Sequence, residues 1–112
     1  MGKPSPAFVL VEEAAFTEFE WDEAKRETNW NVHGVDFEDV KGIFRRPHVV
    51  ASSRGYGESR WAAVGLLDDV EITVVFTMRE ERCRVISARR ARHHERSAYH
   101  EAIRTRSKTG KN

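Results

Sequence analysis

Arginines that fall at strand positions are the residues in this sequence whose type and placement could support catalysis. Arg60 is the first residue of an apolar strand, Arg84 lies inside another, and Arg89 lies where that second strand ends. Cleavage of a phosphodiester without a metal needs cations that stabilise the developing negative charge, together with a base and an acid for proton transfer. The three arginines therefore indicate a site that acts on a phosphodiester, with their guanidinium groups as the charge-stabilising elements.

Arg84 also has a purely structural interpretation. An unpaired arginine is costly to bury within a strand, so its side chain faces either an open groove or a carboxylate. The carboxylates considered for such an ion pair are those of Glu80 and Glu58. Both interpretations stay open at the level of the sequence.

His33 is the best candidate for proton transfer. An imidazole titrates near neutrality, and this one is placed at the predicted end of a helix, next to Gly34. Lys25 shares the same helical stripe and offers a second positive charge. The simpler alternatives are that the histidine interacts with the helix dipole and that the lysine is only solvated.

Motifs for cofactors and metals are missing from the sequence. Cys83 is the only cysteine, which excludes an internal disulfide and a cysteine-built zinc site. His93, His94 and His100 do not form a recognisable ligand set, because the adjacent pair faces different directions on a helix. No glycine-rich phosphate loop, CxxC motif or Ser/His/Asp signature occurs. We therefore expect neither a metal nor another cofactor.

The charge of the chain is strongly segregated, although its net value is only +1. The segment 82–112 contains ten basic and two acidic residues, a net charge of +8, whereas the remainder carries −7. A basic segment of this kind is typical of a surface that binds a polyanion or docks an acidic protein. A solvated, charged helix is the simpler alternative.

Two helices are predicted ahead of the sheet. Asp22 is a good N-cap for a helix that ends near His33, where Gly34 supplies a left-handed C-cap. A second, short helix is predicted with Asp36 as its N-cap, and Pro47 ends it because proline cannot continue the hydrogen-bond ladder.

The middle of the chain is predicted to be β-structure. Alternating apolar residues and turn signals indicate strands at 48–51, 60–66, 71–78 and 82–88, joined by connections at 52–59, 68–69 and 79–81. Short connections join antiparallel neighbours, and a last helix is predicted over 91–104. The expected fold is α+β, with two N-terminal helices packed on a small twisted antiparallel sheet and a C-terminal helix.

A length of 112 residues corresponds to one domain with one core. We assign 1–18 to an N-terminal extension, 19–106 to the domain and 107–112 to a disordered basic tail. The sequence contains no apolar run long enough to cross a bilayer and does not begin with a signal-peptide profile. We therefore expect a cytoplasmic protein without a membrane partner.

A combination of motifs in this sequence resembles the BrnT family. The motifs are WDxxK at 21–25, HGV at 33–35, GExR at 57–60 and RVISARRA at 84–91, accompanied by Asn29, Glu95 and Tyr99. The resemblance extends from about Phe19 to Arg104. It implies a compact RelE-like fold and an endoribonuclease that stops translation, acting as the toxin of a bacterial type II toxin-antitoxin pair.

The resemblance also implies partners and site residues. The antitoxin of that family, BrnA, binds DNA through a ribbon-helix-helix element, so we expect a hetero-oligomer that binds its own operator through the antitoxin. Val32 replaces a lysine that is common in the family, which removes one cation from the expected groove. The resemblance further implies an RNA substrate, which we expect to bind in extended form. The catalytic candidates are Lys25, His33, Arg60, Arg84 and Arg89, and the candidate RNA contacts are Arg90, Arg92 and Tyr99.

Two other functions are compatible with the sequence. One is a non-catalytic binding module whose basic surface only docks an antitoxin or another acidic protein. The other, less well supported, is gyrase poisoning by a relative of the same fold. Growth arrest accompanied by mRNA cleavage would distinguish a ribonuclease from both.

Overall fold

A computed structural model describes residues 8–53 and 60–109 of the chain, with side chains for 8–52 and 60–106. Glu58, one of the carboxylates proposed for Arg84, lies outside these ranges. The elements, in chain order, are β1 (Val9–Val11), β2 (Glu18–Glu20), α1 (Glu23–His33), α2 (Lys41–Phe44), β3 (His48–Ser53), β4 (Arg60–Leu67), β5 (Val70–Arg79), β6 (Arg82–Arg90) and α3 (His93–Thr109).

Within this part of the chain, six strands form one mixed sheet in the order β1-β3-β4-β5-β6-β2. The strands β3 to β6 pair antiparallel, as their short connections predict. By contrast, β2 pairs parallel with β6, and Phe19 lies opposite Cys83. The prediction of a purely antiparallel sheet is therefore wrong. The connection from β2 to β6 includes both early helices and three strands, which is long enough for the crossover that parallel pairing needs.

The segment ahead of the predicted domain takes part in the sheet. The edge strand β1 pairs antiparallel with β3, with Val9 opposite Val50. Just beyond β1, the carboxylate of Glu12 accepts a hydrogen bond from Nε of Arg106 in α3 at 2.6 Å. Residues 8–18 therefore connect the edge of the sheet to the C-terminal helix.

The first helix forms as predicted. The carboxylate of Asp22 accepts hydrogen bonds from the backbone N–H groups of Ala24 and Lys25. At the other end Gly34 adopts the left-handed conformation, with φ of 70°, and closes the helix. The N-cap and C-cap predictions for α1 are confirmed.

The second helix is reduced to the single turn Lys41–Phe44. Its N-cap position is Val40, whose side chain provides no cap, so the prediction that Asp36 begins this helix is wrong. Asp36 instead accepts hydrogen bonds from Nε of Arg26 at 2.7 Å and from the backbone N–H of Glu38. The bond to the Glu38 N–H here belongs to a local turn rather than to a helix start, and turns occupy 37–40.

The third helix begins two residues later than predicted and continues five residues further, to Thr109. The positions 107–109, predicted as tail, therefore belong to a helix. Its exposed side includes an ion pair between Arg104 and Glu101, one turn apart, and the bond from Arg106 to Glu12. Both contacts stabilise the part of α3 at 101–106, directly ahead of the positions predicted as tail.

Apolar clusters lie on both faces of the sheet. On the first face, the α2 region packs against β4, β5 and β6 through Phe37, Ile43 and Phe44, which are almost fully buried. A Cβ at Gly65 in β4 would lie 2.7 Å from Cγ2 of Ile43, so this close approach requires glycine. On the second face, α3 covers only part of the sheet, where Tyr99 packs with a few strand residues.

Asn29 fixes α1 to the edge of β6 beyond its pairing with β2. Its side-chain amide accepts a hydrogen bond from the backbone N–H of Ala88 at 3.0 Å and donates to the Ala88 carbonyl at 2.9 Å. The same nitrogen also donates to the carbonyl of Val35. Because Asn29 is buried and pairs with the strand edge as another strand would, it holds α1 beside β6.

Candidate active site

A depression crosses the second face of the sheet next to the part that α3 covers. The pairing of β3 to β6 places four side chains in one row across it: Ala51, Ala62, Val75 and Ser87. Three of the four are small, so the row lies low between its neighbours. We call this depression the trench; it encloses about 300 Å³. Phe8, Ser52, Arg60, Arg89, Arg92, His94 and Glu95 line it together with the floor row.

Arg60 lies on one side of the trench. It is the first residue of β4 and pairs with Ser53 of β3, which fixes the direction of its partly buried side chain. Continuing the β4–β5 register places Arg60 beside Thr77, which in turn pairs with Arg84. The two strand arginines therefore belong to the same row on the same face of the sheet.

Arg84 has a carboxylate partner. Its Nη1 lies 3.2 Å from Oε2 of Glu20 in the parallel strand β2. The predicted partner Glu80 is not the one that the structure shows. The Arg84 side chain remains 39% exposed, so part of its charge faces solvent at the end of the row. Arg84 thus forms an ion pair and also faces solvent, so each of the two interpretations describes part of its environment.

Arg89 lies on the opposite side of the trench and forms a two-point ion pair with Glu95. Its Nη1 and Nη2 each donate to a different carboxylate oxygen at 2.9 Å. Glu95 also accepts a hydrogen bond from the hydroxyl of Thr73 at 2.9 Å and another from the backbone N–H of Arg92 at 2.6 Å. The last bond closes the first turn of α3, as a glutamate at the third helical position commonly does.

This network sets the ionisation of Glu95, whose side chain is only 7% exposed. Burial opposes its negative charge, but the hydrogen bonds from Arg89, the Arg92 N–H and Thr73 together outweigh burial and lower its pKa to about 2. Glu95 therefore stays ionised and holds Arg89 against the wall of the trench.

We expect Glu95→Gln to change how stability depends on pH. A carboxyl group whose pKa falls from 4.5 to about 2 on folding stabilises the native state above pH 4.5 and loses that contribution as the pH falls towards 2. The pH-dependent part is about 3 kcal/mol. Urea unfolding from pH 7 to pH 3 should show the wild type losing stability more steeply than the variant. Glu101→Gln, at an exposed site of α3, is the control, and parallel wild-type and Glu95→Gln curves would contradict the expectation.

His94 is a site residue that the sequence analysis missed. The sequence suggests only a metal-ligand role for this histidine, whereas the structure places it on the trench wall beside Glu95. The imidazole shares this wall with Arg92, the last residue before α3. The sequence feature that indicates a role for His94 is its position in the first turn of a helix that follows a basic strand. The N-terminus of a helix favours a bound anion.

Lys25 and His33 line a neighbouring hollow between α1 and β6. Both are exposed, and the hollow of about 340 Å³ also includes Ile86 and Ser87. Ile86 lies at an irregularity in the β5–β6 pairing, where the register shifts between Val75 and Phe76. Because Ser87 lines both depressions, the hollow continues the trench past the edge of the sheet.

The three predicted RNA contacts have different environments. Arg92 is exposed and lines the trench. Arg90 is exposed, but it follows Arg89 directly in β6, and successive side chains of a strand point to opposite faces. It therefore belongs to the first face of the sheet. Tyr99 is only 7% exposed and packs in the apolar cluster under α3, where burial raises the pKa of its hydroxyl. The structure therefore brings only Arg92 of these three into the trench.

Neither a metal-binding cluster nor a membrane-spanning helix is found in the described ranges. Among residues 8–53 and 60–109, no three or more His, Cys, Asp or Glu side chains gather as a metal would need. No helix in these ranges is long and apolar enough to cross a membrane.

An α+β protein whose sheet carries a depression flanked by arginines and a histidine has a site with the charge and shape that suit a polyanion. Residues 21–95 match the family model BrnT_toxin, whose description is "Ribonuclease toxin, BrnT, of type II toxin-antitoxin system". The chain therefore belongs to the BrnT family of ribonuclease toxins, which confirms the resemblance of its motifs. A search of curated proteins found no match to this chain.

Proposed function

We propose that the chain is an endoribonuclease that cuts single-stranded RNA lying along the trench. The observation that supports this most strongly is the position of Arg60 and of the Arg89–Arg92 segment on opposite sides of a floor of small residues, with His94 beside them. Cations on two sides of a narrow depression favour an extended phosphate backbone, and single-stranded RNA exposes its 2′-hydroxyls there.

The proposed reaction uses the RNA's own 2′-hydroxyl as the nucleophile. Its oxygen attacks the adjacent phosphorus and loses its proton to a base, while the bond to the 5′-oxygen breaks and that oxygen gains a proton. The products are a 2′,3′-cyclic phosphate and a free 5′-hydroxyl, and no metal is needed. Arg60 and Arg92 stabilise the charge on the phosphate, and His94 transfers one of the protons.

The remaining predicted residues have supporting roles in this proposal. Arg89 adds positive charge but is held by Glu95, so it mainly shapes the trench wall. Lys25 and His33 bind the strand where it leaves the trench past Ser87, and His33 is the second candidate for proton transfer. Arg84 attracts the phosphate backbone at the end of the arginine row.

We further propose that the toxin stops translation by cutting mRNA in the cytoplasm and that a BrnA-like ribbon-helix-helix antitoxin neutralises it. The resulting hetero-oligomer would bind its own operator DNA through the antitoxin. This assignment, and the kinship of the fold to RelE-like toxins, rests on the family membership and on the resemblance of the motifs.

Cleavage in the presence of EDTA tests the proposed chemistry. We expect the purified chain to cut single-stranded RNA without divalent cations and to leave 2′,3′-cyclic phosphate ends, detected by resistance to 3′-end ligation until the phosphate is removed. Induced expression should arrest bacterial growth, and co-expression of the neighbouring antitoxin should restore it. A requirement for Mg²⁺ with 5′-phosphate products would overturn this mechanism, and folded protein without any cleavage would favour a module that only binds.

A further inference from the structure

We propose that Phe8 is a base-stacking residue, which binds a nucleobase of the RNA at the β1 end of the trench and contributes to sequence preference. The proposal rests on the function proposed above and extends it to a residue outside the family match, which covers 21–95. Its ligand is a purine or pyrimidine base of a single strand.

The pairing of β1 determines where the ring of Phe8 lies. Val9 pairs with Val50 and Leu10 with Val49, so continuing the register places Phe8 opposite Ala51. Strand alternation then puts Phe8 and Leu10 on the second face of the sheet, with Val9 on the other. Phe8 therefore extends the floor row of the trench by one strand.

Contacts at both ends of this segment hold the ring there. Phe8 is half-buried and packs against the cluster that includes Val49, Val64 and Tyr99, and it also lines the trench. Further along, the Glu12–Arg106 hydrogen bond ties the segment to α3. A ring supported on one side presents a fixed surface for stacking.

Phe8 supplies the apolar aromatic surface of the trench. Among the described residues that line the trench, it is the one phenyl ring, whereas Arg60, Arg89 and Arg92 offer charge to phosphates. Single strands are commonly bound by cations that follow the backbone and by aromatic rings on which bases stack. Stacking tolerates any base but favours the larger π-surface, so we infer a preference for a purine at this position.

Two kinds of variant separate stacking from packing. Phe8→Leu keeps an apolar side chain without the ring, and Phe8→Tyr keeps the ring. Leu10→Ala is the matched control, because Leu10 packs in the same cluster but does not line the trench. Binding is measured by fluorescence anisotropy with non-cleavable 2′-deoxy oligonucleotides that differ by one base, and cleavage is measured with the corresponding RNAs.

We expect Phe8→Leu to weaken binding by about 5- to 100-fold and to raise KM, with kcat nearly unchanged. The purine preference should disappear at one position of the substrate, and Phe8→Tyr should retain it. Leu10→Ala should lower the thermal midpoint of unfolding without changing the base preference.

Unchanged binding and base preference in Phe8→Leu would overturn the proposal, as would an equal loss of preference in Leu10→Ala. Failure of the proposed function gives a different result, since the wild type would then cleave no RNA. The non-cleavable oligonucleotide still decides the stacking proposal in that case, because stacking on Phe8 requires binding but not cleavage.

Discussion

Replacement of Arg60 by alanine should lower kcat for RNA cleavage by about 100- to 1000-fold, equivalent to about 2.7–4 kcal/mol of transition-state stabilisation. The reason is geometric: β4 fixes the side chain at the trench wall, so its charge is already in place when the phosphate becomes more negative. Kinetics on a single-site RNA, with circular dichroism to confirm the fold, measure the effect.

The matched control for this variant is Arg79→Ala, which removes an exposed strand arginine that does not line the trench. We expect its kcat to stay near the wild-type value. Arg84→Ala should cost less than Arg60→Ala, because Glu20 already neutralises part of its charge. A folded Arg60→Ala variant with wild-type kcat would remove this residue from the site.

His94→Gln should lower kcat by about 100- to 10,000-fold, the range expected when a proton-transfer group is lost. Glutamine can still form hydrogen bonds from the trench wall, but it cannot accept and release a proton in the reaction. The dependence of kcat/KM on pH should lose one limb in the variant, whereas removal of a residue that only binds RNA would leave its shape unchanged.

His93→Gln provides the control, since this exposed neighbour begins α3 without lining the trench. His33→Gln tests the residue that the sequence analysis favoured, and we expect it mainly to raise KM because His33 lies in the adjoining hollow. The reverse result, a large loss of kcat in His33→Gln and none in His94→Gln, would assign proton transfer to His33 at the end of α1.

Local patterns in the sequence determined several elements of the fold. Asp22 and Gly34 mark the ends of α1 because caps act through bonds to adjacent backbone groups. The alternation in β4 to β6 and their short turns likewise predict antiparallel neighbours. The basic C-terminal third and the family motifs pointed to an RNA-directed function, and the family membership supports that interpretation.

The predictions of secondary structure and strand pairing were wrong where contacts between residues distant in sequence outweigh the local sequence pattern. Asp36 has the residue type of an N-cap, but its carboxylate accepts hydrogen bonds from Arg26 and from the backbone N–H of Glu38 in a turn. The second helix is therefore a single turn that begins later. The pairing of β2 with β6 joins residues 64 positions apart, which no local pattern reveals. The helix α3 continues past its predicted end at residue 104, and Arg106 in this continuation donates a hydrogen bond to Glu12.

The sequence by itself determined the family, the basic character of segment 82–112, the strand positions of Arg60 and Arg84 and the position of Arg89 at a strand end, because these depend on residue types and short spacings. Only the tertiary structure decided which cations share one depression. Register and strand alternation bring Arg60 and Arg89 to the same trench and place Arg90 on the other face, and the first turn of α3 adds His94 to the trench wall. The packing of α3 buries Tyr99 against apolar strand residues, because removing an aromatic ring from water stabilises the fold.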